Sequence, residues 1–535
     1  MFLKKVCLLL LSSMLFLVAC SPKETHKDQT QTSIEKVDKE QVIIAIDSEP
    51  ESGFDPCLGW GHGISPIIQS TLIKFNADME IVNDLATSYE ISDDGLTYKF
   101  EIRNDAKFTN GETVKPSDVA FTFNTAKNSN SLVDLTFVDK CEIQENKIVF
   151  ILNKPMSTFI NTIASIGIVP EHAYSDDYAL NPIGSGPWKL VQWNKGEQII
   201  LEANENYYAK VPNIKKAVIV FMDENAAFAA ANAGAVDVAL TSAAHAINKI
   251  DQMQIQALKT IDNVGILLPV NMETGIKTDR GDAIGNNVTA NKSIRKALAY
   301  CMDRDQIAQN AANGFADPAF SENDGMPWNN PEIKINTDVE KAKKILADDG
   351  WQDLDNDGIL EKGDLKAEFN CYYPSGDSLR QSIGMAAAQQ AKNIGIKINI
   401  EGLSWDEISK KMFSNAVIMS WGDSNPFTSY LLFHSSNKLN YDYYNPEGFD
   451  SLQINKYLEQ ALNATTSEQA NEFWKKAQWD GTTGTSMLGE VPWVWLVNIR
   501  HIYYVKDGLD IGNQSLHPHG ASWPLVKNLD EWKWN

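Results

Sequence analysis

Cysteine is scarce in this chain, six in 535 residues at positions 7, 20, 57, 141, 301 and 371, with no Cys-x-x-Cys among them. That excludes a disulfide scaffold and a thiolate zinc ribbon, and a chain long enough for two or more domains does not need bridges to hold its core. Positive charge is short as well: 47 basic residues face 70 acidic ones, a net charge of −23. A balance of that sign argues against nucleic acid and against an anionic lipid surface as partners. Past the N-terminus no apolar run approaches the length of a membrane-spanning helix. Enzyme signatures are missing too, with no Gly-x-Ser-x-Gly, His-Glu-x-x-His, Walker-type loop or Gly-x-Gly-x-x-Gly after a strand. Histidine, at eight residues, is rare enough for each one to be informative.

The N-terminus is the first positive feature. Lys4 and Lys5 precede an apolar run over residues 6–19, and Leu17-Val18-Ala19-Cys20 closes it with small residues before a cysteine. This resembles a bacterial lipoprotein signal peptide with its lipobox. The run is too short to span a bilayer as a mature helix, so cleavage of residues 1–19 is expected, with a lipid on Cys20 and the protein held at the extracytoplasmic face of the cell membrane. Residues 20–40 read as a flexible tether, because Ile34 and Val37 are their only aliphatic residues and so few cannot order a segment.

Residues 41–535 mix strands and helices. Residues 41–47 read as an aliphatic strand, and Ser65-Pro66 as the start of a helix through Leu72. After Asp93-Asp94-Gly95, the apolar Leu96, Tyr98, Phe100 and Ile102 alternate with polar residues, the pattern of a hairpin strand with one wet face. Pro116-Ser117-Asp118 opens a helix through Lys127. One long helix is expected over 292–313, stopped by Gly314, with others over 338–348 and 377–393 and a strand over 396–400. This mixture without a strict βαβ rhythm predicts a mixed α/β (α+β) fold.

Three ordered blocks carry a family likeness: LATSYEISDDGLTYKFEIRNDAKFTNGETVKPSDVAFTF at 85–123, GSGPWKLVQWNKGEQIILEANENYY at 184–208 and SIRKALAYCMDRDQIAQ at 293–309. In them the chain resembles the extracytoplasmic solute-binding proteins of peptide and nickel ABC importers. The resemblance implies a two-lobe periplasmic-binding-protein-like fold with a hinge, closing over a ligand and delivering it to the transmembrane subunits of a permease. It also implies a first lobe of residues 41–282 plus 501–535 and a second of 283–500. A receptor is not an enzyme; a lipoprotein hydrolase or an adhesin is the remote alternative.

Ligand choice then rests on polar residues that face the cleft. His517-Pro518-His519 puts two imidazoles on one side of an extended segment, where both can reach one nickel, copper or zinc ion. His62, in Gly59-Trp60-Gly61-His62-Gly63, is the candidate third donor. The nickel-binding branch of the family resembles this arrangement, so nickel, bare or chelated, is the expected solute. A di- or oligopeptide is the alternative. Trp421-Gly422-Asp423-Ser424-Asn425-Pro426 resembles the segment in which peptide receptors hold the ligand's amino group, and Asp423 suits that role or an Asx cap. Trp60 and Trp421 offer flat apolar walls, and Arg380 a partner for a ligand carboxylate.

A second metal motif is independent of transport. Asp353, Asp355, Asp357 and Asp364 stand at positions 1, 3, 5 and 12 of a calcium-loop spacing, with Gly358 at position 6. A structural calcium ion or a plain acidic turn both fit it.

Overall fold

The computed structural model describes residues 39–50, 52–61, 66–129, 133–520 and 522–535. The expected signal segment, Cys20, nearly all of the tether and His62 lie outside the described residues. The aliphatic strand Gln41–Ile46 is the spine of a seven-stranded sheet. Val42, Ile44 and Ile46 enter one apolar layer while Ala45 enters another, which is why the strand reads as a near-continuous hydrophobic run. It pairs in parallel with Lys216–Phe221 on one side and Val238–Thr241 on the other. His501–Lys506 and then Met253–Leu258 extend the sheet beyond Val238–Thr241, both antiparallel.

A six-stranded sheet runs Ala316–Pro318, Trp493–Ile499, Asn263–Leu267, Ala416–Trp421, Glu368–Pro374 and Lys397–Leu403. Glu368–Pro374 pairs in parallel with both Ala416–Trp421 and Lys397–Leu403, and the helix Ser378–Lys392 joins it to the latter, the covered crossover that parallel strands require. Asp377 caps that helix by accepting from Arg380 N at 2.8 Å, and Ile383, Ala387 and Ala391 fill its inner face. A four-stranded antiparallel sheet holds the expected hairpin, Ala86–Ile91 and Thr97–Ile102. Tyr98, Phe100 and Ile102 are buried, and Gly95 takes the positive φ of the turn.

One apolar cluster is continuous from the four-stranded sheet into the six-stranded one, and a second lies against the seven-stranded sheet with Trp523, Leu525 and Trp532 from the C-terminus. Hydrogen bonds reinforce the first junction. Ser157 N donates to Leu462 O at 2.8 Å, Ser157 Oγ to Ala461 O at 2.8 Å, and Asn161 Nδ2 to Ser424 O at 3.1 Å.

The chain crosses from the first large sheet to the second within residues 259–262 and returns at Arg500, between Trp493–Ile499 and His501–Lys506. The two crossings touch, Ile499 N donating to Asp262 O at 3.0 Å. Two short adjacent connections between separate sheets are the geometry of a hinge. Asn263–Leu267, inside the segment expected for the first lobe, therefore pairs within the six-stranded sheet. The expected limit at 282/283 thus falls some twenty residues after the sheets change partners.

Two other expectations give way to the fold. Residues 66–72 are not helical. Their backbone is spent on distant partners: Ile68 O accepts from Gly186 N, Ser70 O from Ile168 N and Leu72 O from Ala86 N, so the buried strip is held from outside and needs no internal ladder. The helix over 292–313 is two, Lys292–Cys301 and Arg304–Ala311. Met302 is extended and Asp303 caps the second helix by accepting from Gln306 N at 2.9 Å. Arg304 turns inward there, donating to Ala319 O and Trp495 O.

Candidate functional site

Beside the hinge lies a cavity of about 600 Å³ with walls from three places. Phe137, Met156 and Thr158 come from beneath the four-stranded sheet, Trp421, Asp423 and Tyr444 from the six-stranded side, and Pro518 and His519 from the C-terminal segment. Local chemistry explains the second wall. Ala416–Trp421 ends at Gly422, where a Cβ would lie 1.3 Å from Ile261 O. Only glycine allows the strand end to lie against the crossing. That approach brings Gly422 O within 3.1 Å of the His519 N–H.

Asp423 then accepts from Asn425 N at 3.1 Å and Ser424 Oγ at 3.3 Å, an Asx-type turn leading into the helix Phe427–Phe433. Phe427 and Tyr430 stack at 5.5 Å, and Trp421 packs on Tyr444 at 5.1 Å. The Trp421 Nε1–H is buried with no partner among the described residues.

The two C-terminal histidines part company. His519 is half-exposed at the cavity, and its Nδ1 sits 2.9 Å from Asp262 Oδ1 and 3.3 Å from Ser420 Oγ. With Nδ1 engaged by a buried carboxylate, Nε2 is the edge left for a ligand. His517 is buried, its Nε2 3.2 Å from Gln514 Oε1 and its Nδ1 3.2 Å from His501 Nδ1. Gln514 Nε2 already donates to Ile511 O and Asn528 Oδ1, so its Oε1 is the acceptor and His517 carries its hydrogen on Nε2. His517 Nδ1 then accepts from His501. Both nitrogens are used, and the structure does not bring His517 and His519 to one metal centre.

Asp262 joins the two chains of contacts, its Oδ2 lying 3.4 Å from His501 Nε2. Burial alone would raise its carboxyl, but the charge of His519 and hydrogen bonds from His501 and His519 outweigh that and hold it well below the usual carboxylate range. The Asp262 charge in turn raises His519 above the ordinary histidine value, against burial. Burial, with the nearby His501 and Lys527, pushes His517 well down, so it stays neutral.

Other expected residues sit elsewhere. Trp60 packs edge-on against Phe54 at 4.8 Å and Trp523 at 5.1 Å, in the core of the seven-stranded sheet and not on the cavity wall. Arg380 stands behind the wall, donating to Ser420 Oγ at 2.5 Å and pairing with Asp377. Its Nε–H is buried without a partner among the described residues. In the acidic loop, Asp353 and Asp355 converge, but their third neighbour is Glu361 and not Asp364. The reason is the hairpin formed by Glu361–Lys362 and Leu365–Lys366, which carries Asp364 into its turn. Lys366 Nζ lies between the acids, 3.4 Å from Asp355 and 3.5 Å from Glu361, and pairs with Asp357. An ammonium thus stands among the oxygens that a calcium ion would need.

Asp262, Ser420 and His501 were missed in the sequence. The one local signal was a polar break, Thr260 to Asn263, between two aliphatic strands. Nothing near it names histidines more than two hundred residues away.

Comparison with known proteins is consistent with this geometry. Residues 80–443 match the model of the bacterial extracellular solute-binding proteins, family 5. Protein XP55 of Streptomyces lividans is 28% identical over 491 residues, covering 88% of this chain and 86% of its own length. The oligopeptide-binding protein AppA of Bacillus subtilis is 27% identical over 520 residues, covering 88% and 93%. Among solved structures, NikZ of Campylobacter jejuni in complex with Ni(L-His) superposes with a TM-score of 0.76 at 25% identity, over 92% of this chain and 99% of that one.

Proposed function

Because the chain belongs to the family 5 extracellular solute-binding proteins, the receptor components of ABC importers and not enzymes, we propose that its cleft captures nickel as a chelate with a small organic ligand. The observation that carries this reading is His519. Its Nδ1 is held by the buried Asp262 carboxylate and its half-exposed side chain lines the cavity, the carboxylate–histidine pairing that orients metal-ligating imidazoles. Among the described residues a single imidazole, His519, lines the cavity; that leaves most of nickel's coordination open, and a cavity of about 600 Å³ has room for some twenty waters at ~30 Å³ each. A lone ion would leave it mostly solvent; a chelator fills both the coordination and the space. Trp421 and Tyr444 form its apolar wall, with Asp423 as a polar guide. The relative NikZ was solved with Ni(L-His), a ligand of this class.

Closure follows from the hinge. A solute touching His519 on one side and Thr158 or Thr162 on the other binds best when the walls meet, so it shifts the population toward the closed form that a permease reads. The peptide reading keeps one specific support, Asp423 in an aromatic cavity. Native mass spectrometry of protein purified without a metal column tests the choice. A mass increment of nickel plus a small chelator is expected; a bound peptide with no metal would overturn it.

We further propose that Cys20 carries a lipid anchor on the outer face of the membrane. Cys20→Ser should move the protein out of the membrane fraction, and an unchanged fractionation would refute the anchor.

A further inference from the structure

A second, smaller cavity of about 200 Å³ lies under the C-terminal end of the chain. Residues 66–71, the hairpin Ile73–Phe75 with Ile81–Asn83, and residues 527–531 enclose it. Two ammonium groups line it, from Lys74 and Lys527, and their surroundings differ. Lys74 lies 3.8 Å from Asp84, with Asp530 and Glu531 also close. Three acids share this wall and gather round Lys74: Asp84, which also accepts from Thr71 N at 3.1 Å and from the Tyr208 hydroxyl at 2.6 Å, Glu531, which accepts from Asn528 Nδ2 at 3.4 Å, and Asp530, for which Lys74 is the neighbouring cation.

Lys527 has no such provision. It makes no hydrogen bond or ion pair among the described residues. Burial and the neighbouring Lys74 push its ammonium down to about 8, and no carboxylate offsets them. Lys527 is half-buried, and a cation partly withdrawn from water without a counter-charge is destabilised in a way that an anion beside it relieves. Neutral groups that suit such an anion share the wall, the hydroxyls of Tyr207 and Ser515 and the amide of Asn513. At ~30 Å³ per water the space equals about seven waters, enough for phosphate or a carboxylate of a few carbons and too small for a peptide.

We propose that this cavity is a separate binding site for a small oxyanion, a carboxylate or phosphate, held by Lys527 with Lys74 beside it. The site stands whichever solute the main cleft takes. It abuts that cleft through a one-water space of about 30 Å³ walled by Lys527, Ser515, Ser424 and Pro518. An anion on Lys527 would brace the segment that presents His519.

Calorimetric titration of the purified chain with sodium phosphate and, separately, sodium acetate, each against sodium chloride at equal ionic strength, tests it. A saturable isotherm with at least one of the two oxyanions is expected, and which of them binds identifies the source. Lys527→Met should weaken it by about tenfold or more while Lys527→Arg retains it, as a charge-assisted contact requires. Lys527→Gln gives the same reading if methionine disturbs the fold. No heat beyond the chloride control, or equal isotherms in the wild-type chain and both neutral variants, would overturn the site.

Discussion

Two stretches of this chain carry metal-ligand spacing, residues 517–519 and residues 353–364, and they differ in what surrounds the donors. Behind His519 stands a buried carboxylate, Asp262, that fixes one ring nitrogen, and the half-exposed side chain lines a cavity. Among Asp353, Asp355, Asp357 and Glu361 stands Lys366, a cation of the protein's own. Spacing made the two look alike; the counter-groups separate a site that lacks a cation from one that is supplied with it. The contrast repeats at short range, since His517 is two residues from His519 and has both nitrogens occupied within the protein.

The largest effect that would sharpen this contrast belongs to His519→Ala. Affinity for a nickel–histidine chelate should fall on the order of a hundredfold or more, above the range for losing an outer-shell partner, and an unchanged isotherm would remove His519 from the site. In the wild-type protein the proton is the competitor, because Asp262 raises His519 above the usual value. With one proton displaced, apparent affinity should drop about tenfold per pH unit below that raised pKa. A flat profile between about pH 7 and 5 would speak for the peptide reading.

Asp262→Asn comes next. It removes the charge that orients the imidazole, so a loss of about tenfold to a hundredfold in nickel affinity is expected. Equal loss of stability and no loss of affinity would mark Asp262 as structural only.

His517→Gln should act on stability and hardly on nickel, with affinity within about threefold of wild type. Because burial depresses His517, the unfolded chain takes up a proton that the folded one refuses. Stability is therefore lost as pH falls below about 6.5, where unfolded histidine titrates. His519, with its pKa raised, works in the opposite sense: its contribution is complete below about 6.5 and is lost as pH rises through its higher folded value. Melting temperature against pH should thus lose part of its acid-side decline in His517→Gln. A nickel affinity that collapsed in this variant would restore the paired-histidine site.

The smallest effect concerns calcium. Millimolar calcium should leave the wild-type melting temperature within about 1 °C, and Lys366→Met should make the acidic loop responsive. A strong wild-type response would show that calcium displaces the lysine.

What was legible in the sequence follows the range of the forces involved. The hairpin around Gly95 and the capped helices at Asp338 and Asp377 were readable because their determinants lie within a few residues. Trp421 and Asp423, close in sequence, line one cavity together. Residues 66–72 were not readable, since their backbone partners come from positions 85–86, 168 and 186. Asp303 was a local cap signal inside an expected helix and marks its break. The separation of His517 from His519 depends on Asp262 and His501, which reach them only through the two crossings between the sheets.

The central claim is that nickel enters the cleft as a chelate and binds His519 alone of the three histidines near the hinge. Anomalous diffraction at the nickel edge, from crystals grown with nickel and free L-histidine, tests it most directly. A single peak is expected at about 2.1 Å from His519 Nε2, within the cleft and with density for the chelator. A peak on His517, one in the loop at 353–366, or a cleft filled by peptide without metal would contradict it.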